Sequence, residues 1–200
     1  MNLLCLARGQ YHAYENGLDF NLPAPYTLVS PLEIEGVPHG FIAVDSNNLY
    51  LVFRGTAGWR DWLVNAEVSQ VNHPLGKVHE GGYELYQELW PTIRDSLQGC
   101  KLKVVIMGYS SGCWPATFAA VDLSHYNPTV HAYGSPRVGD KEFAHNVNTV
   151  VPHYTRYVNS EDIVPTLPLP LDYCHIGTQE TFTASETDAH ALALYEQYCD

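Results

Sequence analysis

Between residues 40 and 53 the chain reads as two short apolar runs divided by a polar step. Gly40-Phe-Ile-Ala-Val-Asp45 and Leu49-Tyr-Leu-Val-Phe53 are rich in β-branched and aromatic residues, and Ser46-Asn47-Asn48 between them is a turn cluster. That pattern predicts a hairpin. The period then changes. Trp59, Trp62, Leu63 and Ala66 stand at i, i+3, i+4 and i+7, which predicts a helix over 59–68. Leu85, Leu89, Ile93 and Leu97 keep a four-residue beat, which predicts a second helix over 82–97, kinked at Pro91.

The second half alternates more regularly. Residues 103–107 (Lys-Val-Val-Ile-Met) form a run of buried-strand character that stops at Gly108. Helical composition resumes at Gly112 and lasts to about Ser124, with Pro115 in the first turn, where a missing N–H costs nothing. Strands are predicted at 129–133, 153–158 and 173–177, a helix at 141–147, and a last helix opening near Asp188. Helices alternating with apolar strands imply an α/β fold, a mostly parallel sheet covered on both faces. No internal repeat, linker or low-complexity tract divides the 200 residues, a length that suits a single domain over 1–200.

Charge narrows what such a domain can bind. Ten Lys+Arg face 22 Asp+Glu, a formal charge of −12. That balance argues against nucleic acid, whose phosphates need a basic patch, and against electrostatic docking on anionic membranes. No apolar run approaches the ~18 residues of a transmembrane span. The stretch 1–10 has no basic residue ahead of its short apolar run and no cleavage site after it, so no secretory signal is read and a cytoplasmic location is expected. The five cysteines are odd in number and form no Cys-x-x-Cys pair, which suits reduced thiols. Among ten histidines, neither His73 and His79 nor His125 and His131 has helical i,i+4 spacing, and no cysteine cluster joins them. No metal site and no cofactor are expected.

The chemistry centres on Gly108-Tyr109-Ser110-Ser111-Gly112, which fits Gly-x-Ser-x-Gly. The bare string is weak, but it follows a buried strand and opens a helix, the context of a nucleophile elbow. A sharp strand-to-helix turn would project the Ser110 hydroxyl at a helix N-terminus, where free N–H groups favour negative charge. The plainer reading is a Ser capping a tight turn. A nucleophilic Ser needs a base, and the base an orienting acid, in the order Ser, Asp, His. Asp122, Asp140, Glu161, Asp162 and Asp172 lie downstream. Asp162 follows a predicted strand, at the sheet edge where such an acid belongs, whereas Asp140 suits a helix cap. His175 and His190 both satisfy the order for the base.

These residues resemble the class 3 lipases, fungal-type triacylglycerol lipases of the α/β-hydrolase fold. Leu51-Val-Phe-Arg-Gly-Thr56 is similar to the family's strand and oxyanion loop, and Trp59-Arg-Asp-Trp62 to its lid opening. Val78-His79-Glu-Gly81, Tyr133-Gly-Ser-Pro-Arg-Val-Gly139 and Arg156-Tyr-Val-Asn-Ser-Glu-Asp162-Ile-Val-Pro165 match three further blocks, in family order. The resemblance implies Ser110 as nucleophile, Asp162 as triad acid, and an oxyanion hole from Thr56 and the N–H of Ser111. It favours His190, in an Asp-His-x-x-Tyr-like segment running from Asp188 to Tyr195, over His175, which resembles a structural block. It makes Trp59, Trp62 and Leu63 part of a short helical lid that contacts substrate; an ordinary amphipathic helix packed on the core has the same spacing. Leu167-Pro-Leu-Pro-Leu171 suits either the substrate mouth or a stiff surface loop. The elbow departs from the family's Gly-His-Ser-Leu-Gly-Gly at Tyr109, Ser111 and Cys113.

The implied activity is a serine carboxylester hydrolase acting on a lipid or ester substrate, acyl glycerols first, through an acyl-enzyme and with transient contact at a lipid interface. A phospholipase, polar-ester esterase or acyltransferase would use the same site, and a catalytically inactive lipid-binding protein could keep the same fold.

Overall fold

A computed structural model describes residues 4–56, 69–185 and 187–199, with backbone alone for Leu4, Gln10 and Tyr11. The helix expected over 59–68, with Trp59, Trp62 and Leu63, lies outside the described residues. The predicted hairpin forms as β2 (Val37–Val44) and β3 (Asn48–Phe53), antiparallel, with Gly40 opposite Phe53. Its turn is closed by Asp45, whose Oδ1 accepts from the amides of Asn47 and Asn48 at 2.7 and 2.8 Å. β1 (Thr27–Ile34) pairs antiparallel with β2 on the outside. On the other side of β3 come β6 (Lys103–Tyr109), β7 (Thr129–Tyr133), β8 (Tyr154–Asn159) and β9 (Thr178–Phe182), each parallel to its neighbour. The sheet order is β1-β2-β3-β6-β7-β8-β9. A separate ribbon pairs β4 (Gln70–His73) with β5 (Gly76–His79).

Strand alternation sorts the core into two layers. Leu49, Leu51 and Phe53 of β3, with Val104 and Ile106 of β6, face α2 (Glu80–Ser96), α3 (Cys113–Asp122) and α4 (Lys141–Val150). Tyr50, Val52, Met107 and Tyr109 face α1 (Leu4–Asn16) and α5 (Leu192–Tyr198). The predicted beat of α2 holds: Leu89, Ile93 and Leu97 are buried, with Leu85 at the margin. The helix runs unbroken through Pro91; Pro91 and Gln87, whose carbonyl loses its partner there, are both exposed, so water can satisfy it.

Two expectations change. The strand placed at 173–177 is an irregular connection, with one isolated bridge from Cys174 to Gly139, which in turn bridges Val78 of the ribbon. The strand itself, β9, begins at Thr178. Its Thr-Gln-Glu-Thr-Phe sequence is almost wholly exposed at the sheet edge, so it carries no apolar signature. The last helix opens at Leu192 rather than near Asp188. β1 gave no signal because it is also an edge, able to hold Pro31 inside a strand.

Phe118 of α3 is buried among the rings of Tyr83, Tyr86 and Phe143, with centroids 5.1 to 5.9 Å away. Phe118→Ala is expected to lower unfolding free energy by about 3–5 kcal/mol, measured as the shift of a urea transition at unchanged slope.

Candidate active site

β6 ends at Tyr109, and a single 3-10 turn, Ser110–Gly112, leads straight into α3. Ser110 has φ of 55°, a left-handed conformation that costs an L-residue with a side chain about 1–3 kcal/mol. The surrounding packing enforces it. A Cβ at Gly112 would stand 2.6 Å from the carbonyl oxygens of Phe53 and Arg54, so the end of β3 crosses the elbow at backbone contact. The predicted strand–turn–helix context is therefore present, with Ser110 at the C-terminal edge of the sheet and 2% exposed.

Asp162 and His190 arrive at the same edge. Asp162 follows β8 and is buried, and its Oδ1 accepts from the Val164 amide at 2.9 Å. Its Oδ2 accepts from His190 Nδ1 at 2.5 Å and from the Tyr195 hydroxyl at 2.6 Å. An ionised carboxylate only accepts, so Nδ1 carries the imidazole proton and Nε2 is left as an acceptor. Ser110 Oγ donates to that Nε2 at 2.8 Å. Gly134, at the end of β7, has φ of +57°, and a Cβ there would meet His190 Cε1 at 2.9 Å. The imidazole thus occupies space that no larger residue would leave. Tyr195, named in sequence only as a motif mark, touches the acid directly, and burial with the Asp162 charge raises its hydroxyl pKa far above the ordinary value.

Thr56 follows β3 and meets the elbow from the other side. Its amide donates to Ser111 Oγ at 3.0 Å, and its hydroxyl shares a 2.9 Å hydrogen bond with the same oxygen. The sequence singled out only the backbone N–H of Ser111. The side chain adds a contact that engages both the amide and the hydroxyl of Thr56.

The remaining candidates fall elsewhere. The Nε2–H of His175 donates to the Pro165 carbonyl at 2.7 Å, away from Ser110. Asp140 caps α4, accepting from the Phe143 amide at 2.8 Å. Cys113 is fully buried at the head of α3, and burial pushes its thiol up to about 12, so it is no rival nucleophile. Leu169 and Leu171, 64% and 86% exposed, stand on a surface loop held by Arg137, which donates to the carbonyls of Thr166 and Pro168. Among the described residues no cluster of His, Cys, Asp or Glu could hold a metal ion, and no helix is long and apolar enough to cross a membrane.

A mostly parallel sheet with helices on both faces and a strained Ser between strand and helix defines an α/β-hydrolase. The chain belongs to the lipase (class 3) family, whose sequence model matches residues 50–171. It is 34% identical over 151 residues to a lipase of Rhizomucor miehei, covering 68% of this chain and 42% of that one. It is 32% identical over 162 residues to a secreted mono- and diacylglycerol lipase of Penicillium cyclopium, covering 72% of this chain and 52% of that one. The chain spans about half the length of the curated relatives it matches. A solved triacylglycerol lipase, described as having a serine protease triad as its catalytic centre, superposes with a TM-score of 0.77 at 26% identity, over 90% of this chain and 78% of that one.

Burial, and after it the positive charge of Arg156, holds His175 down at about 4; burial also lowers His39, His73 and His131. His175 stays neutral in the fold where the unfolded chain takes up a proton near pH 6.5, and the other three bind protons less readily folded than unfolded, so the unfolded state binds more protons below that pH. The stability is fully present above about pH 6.5, and the His175 contribution is lost as pH falls toward 4. The melting temperature is expected to drop across that window, and less steeply in His175→Gln, as followed by circular dichroism.

Proposed function

We propose that this chain is a serine carboxylester hydrolase that cleaves acyl esters, acyl glycerols first, through a covalent acyl-enzyme. The observation that carries this reading is the unbroken line from Ser110 Oγ to His190 Nε2, and from His190 Nδ1 to Asp162 Oδ2, at 2.8 and 2.5 Å, behind a Ser in left-handed conformation. The lipase relatives and the triad described for the solved triacylglycerol lipase support it.

In this reading Ser110 Oγ attacks the ester carbonyl while His190 Nε2 takes its proton. Asp162 keeps the imidazole in the Nδ1–H tautomer and stabilises the imidazolium as it forms; Tyr195 and the Val164 amide hold the carboxylate still. The tetrahedral oxyanion falls between Thr56 and the N–H of Ser111. Because Thr56 already bonds Ser111 Oγ, the oxyanion takes donors away from a hydroxyl that has kept them in place. The intermediate formed by that attack collapses: the acyl carbon–alkoxy oxygen bond breaks as His190 returns its proton to the leaving alcohol, which leaves the acyl group on Ser110. Water then attacks the acyl carbon with His190 again as base, and the Ser110–acyl bond breaks as His190 hands the proton back to Ser110 Oγ.

Ser110→Ala is expected to lower kcat on a p-nitrophenyl ester by on the order of 10⁴ to 10⁶ and to abolish fluorophosphonate labelling, with the melting curve retained. More than a tenth of wild-type turnover in that variant would sink the mechanism. Thr56→Val removes the hydroxyl at nearly constant volume and should cost roughly 10² to 10³ in kcat with little change in KM, because the oxyanion exists only in the transition state. Wild-type kcat in Thr56→Val would limit Thr56 to its backbone N–H.

A further inference from the structure

We propose that Tyr109, the residue just ahead of the nucleophile, is a positioning residue that sets the plane of the His190 imidazole and the seat of its backbone. The proposal rests on the ester-hydrolase reading above. Three observations converge on it. The Tyr109 ring lies flat on the imidazole, with centroids 5.1 Å apart and planes 16° apart. Its hydroxyl donates to the backbone carbonyl of His190 itself. It is buried on the sheet face that packs against α1 and α5, and Tyr195 closes edge-on against both rings, at 6.0 Å and 70° to Tyr109 and at 6.4 Å and 80° to His190.

The need for such a residue follows from how the base is held. Hydrogen bonds at Nδ1 and Nε2 define one line through the imidazole, and the ring can rock about that line while keeping both contacts. A flat neighbour on one face removes that freedom, and aromatic rings favour such stacked contacts. His190 also sits between β9 and α5, where residues 187–191 form turns and bends rather than a helix or strand. That stretch is anchored to the sheet by side chains: Asn159 at the end of β8 donates to the carbonyls of Ala184 and Ala189 at 3.0 and 2.9 Å, and Tyr109 at the end of β6 takes the next carbonyl along, that of His190. Because Tyr109 is covalently joined to Ser110, any shift at the end of β6 carries nucleophile and base together, and their 2.8 Å contact is preserved. The function belongs to this chain's own side chain: it needs a ring of phenol length, with a face for the imidazole and a hydroxyl that reaches the main chain beyond it.

Two variants separate the two contacts. Tyr109→Phe keeps the ring and removes the hydroxyl; Tyr109→Leu removes both. Each is assayed on p-nitrophenyl butyrate per titrated active site, so that a misfolded fraction does not count. Fluorophosphonate labelling rates and the downfield Nδ1–H proton resonance of His190 are measured in parallel. Misplacement of a reacting group by an ångström can cost about 10²-fold. On that scale Tyr109→Phe is expected to lose about 3- to 10-fold in kcat and in labelling rate, and Tyr109→Leu about 30- to 100-fold, with KM unchanged and the Nδ1–H resonance broadened in step. Should Tyr109→Leu fail to fold, Tyr109→Phe decides alone. Wild-type rates and an unchanged resonance in the folded variants would reduce Tyr109 to a packing residue and leave the ester-hydrolase reading intact. A wild-type protein that neither labels nor turns over ester would overturn both.

Discussion

The parts of this molecule meet on one buried carboxylate. Asp162 accepts from the imidazole of His190 and the phenol of Tyr195, both in the C-terminal segment, and from the amide of Val164 two residues along its own loop. Removing a carboxylate from water costs several kcal/mol, and only well-placed donors offset that cost. The end of β8, the stretch carrying His190 and the start of α5 are therefore bound to one arrangement, since withdrawal of any donor leaves a buried charge short of partners. The absence of a Cβ at Gly134 is part of the same constraint, because the imidazole and the carboxylate both lie within about the reach of that missing atom.

Around this carboxylate the structure divides rigid from adjustable parts. The elbow is rigid: strand and helix are joined by a single turn, the Ser110 backbone is strained, and the end of β3 presses against Gly112. Strain of this kind persists only where the surroundings over-determine it, and two core layers on opposite faces of the sheet supply that grip. The base comes from irregular chain and is held by side chains that the sheet extends to it, Asn159 from one strand and Tyr109 from another.

The opposite wall of the site is built on hydroxyls. Thr56 and Ser111 bond each other across the gap between the end of β3 and the elbow. Thr56 is exposed and Ser111 half-buried, so the value of the contact lies in holding the donors aimed at a point that a developing negative charge can take over.

Local pattern was enough for the parts whose burial is regular. The hairpin of β2 and β3, the run of β6, the helices α2, α3 and α4 and the Gly-x-Ser-x-Gly turn all show in sequence, because each buries a repeating face or demands a particular turn residue. The order Ser110, Asp162, His190 was legible from chain order and the family resemblance, with His175 still open on residues alone. Tertiary structure decided the rest, for identifiable reasons. β1 and β9 are edges with one side in water, so neither carries the apolar alternation that marks an inner strand. His190 and His175 differ only in what surrounds them: one reaches Ser110 and Asp162, the other a carbonyl at Pro165. The contacts of Tyr109 with His190, of Tyr195 with Asp162 and of Ser111 with Thr56 join residues 33 to 81 positions apart, and no periodicity in a linear chain encodes a meeting that exists only once the sheet has brought its strand ends to one edge.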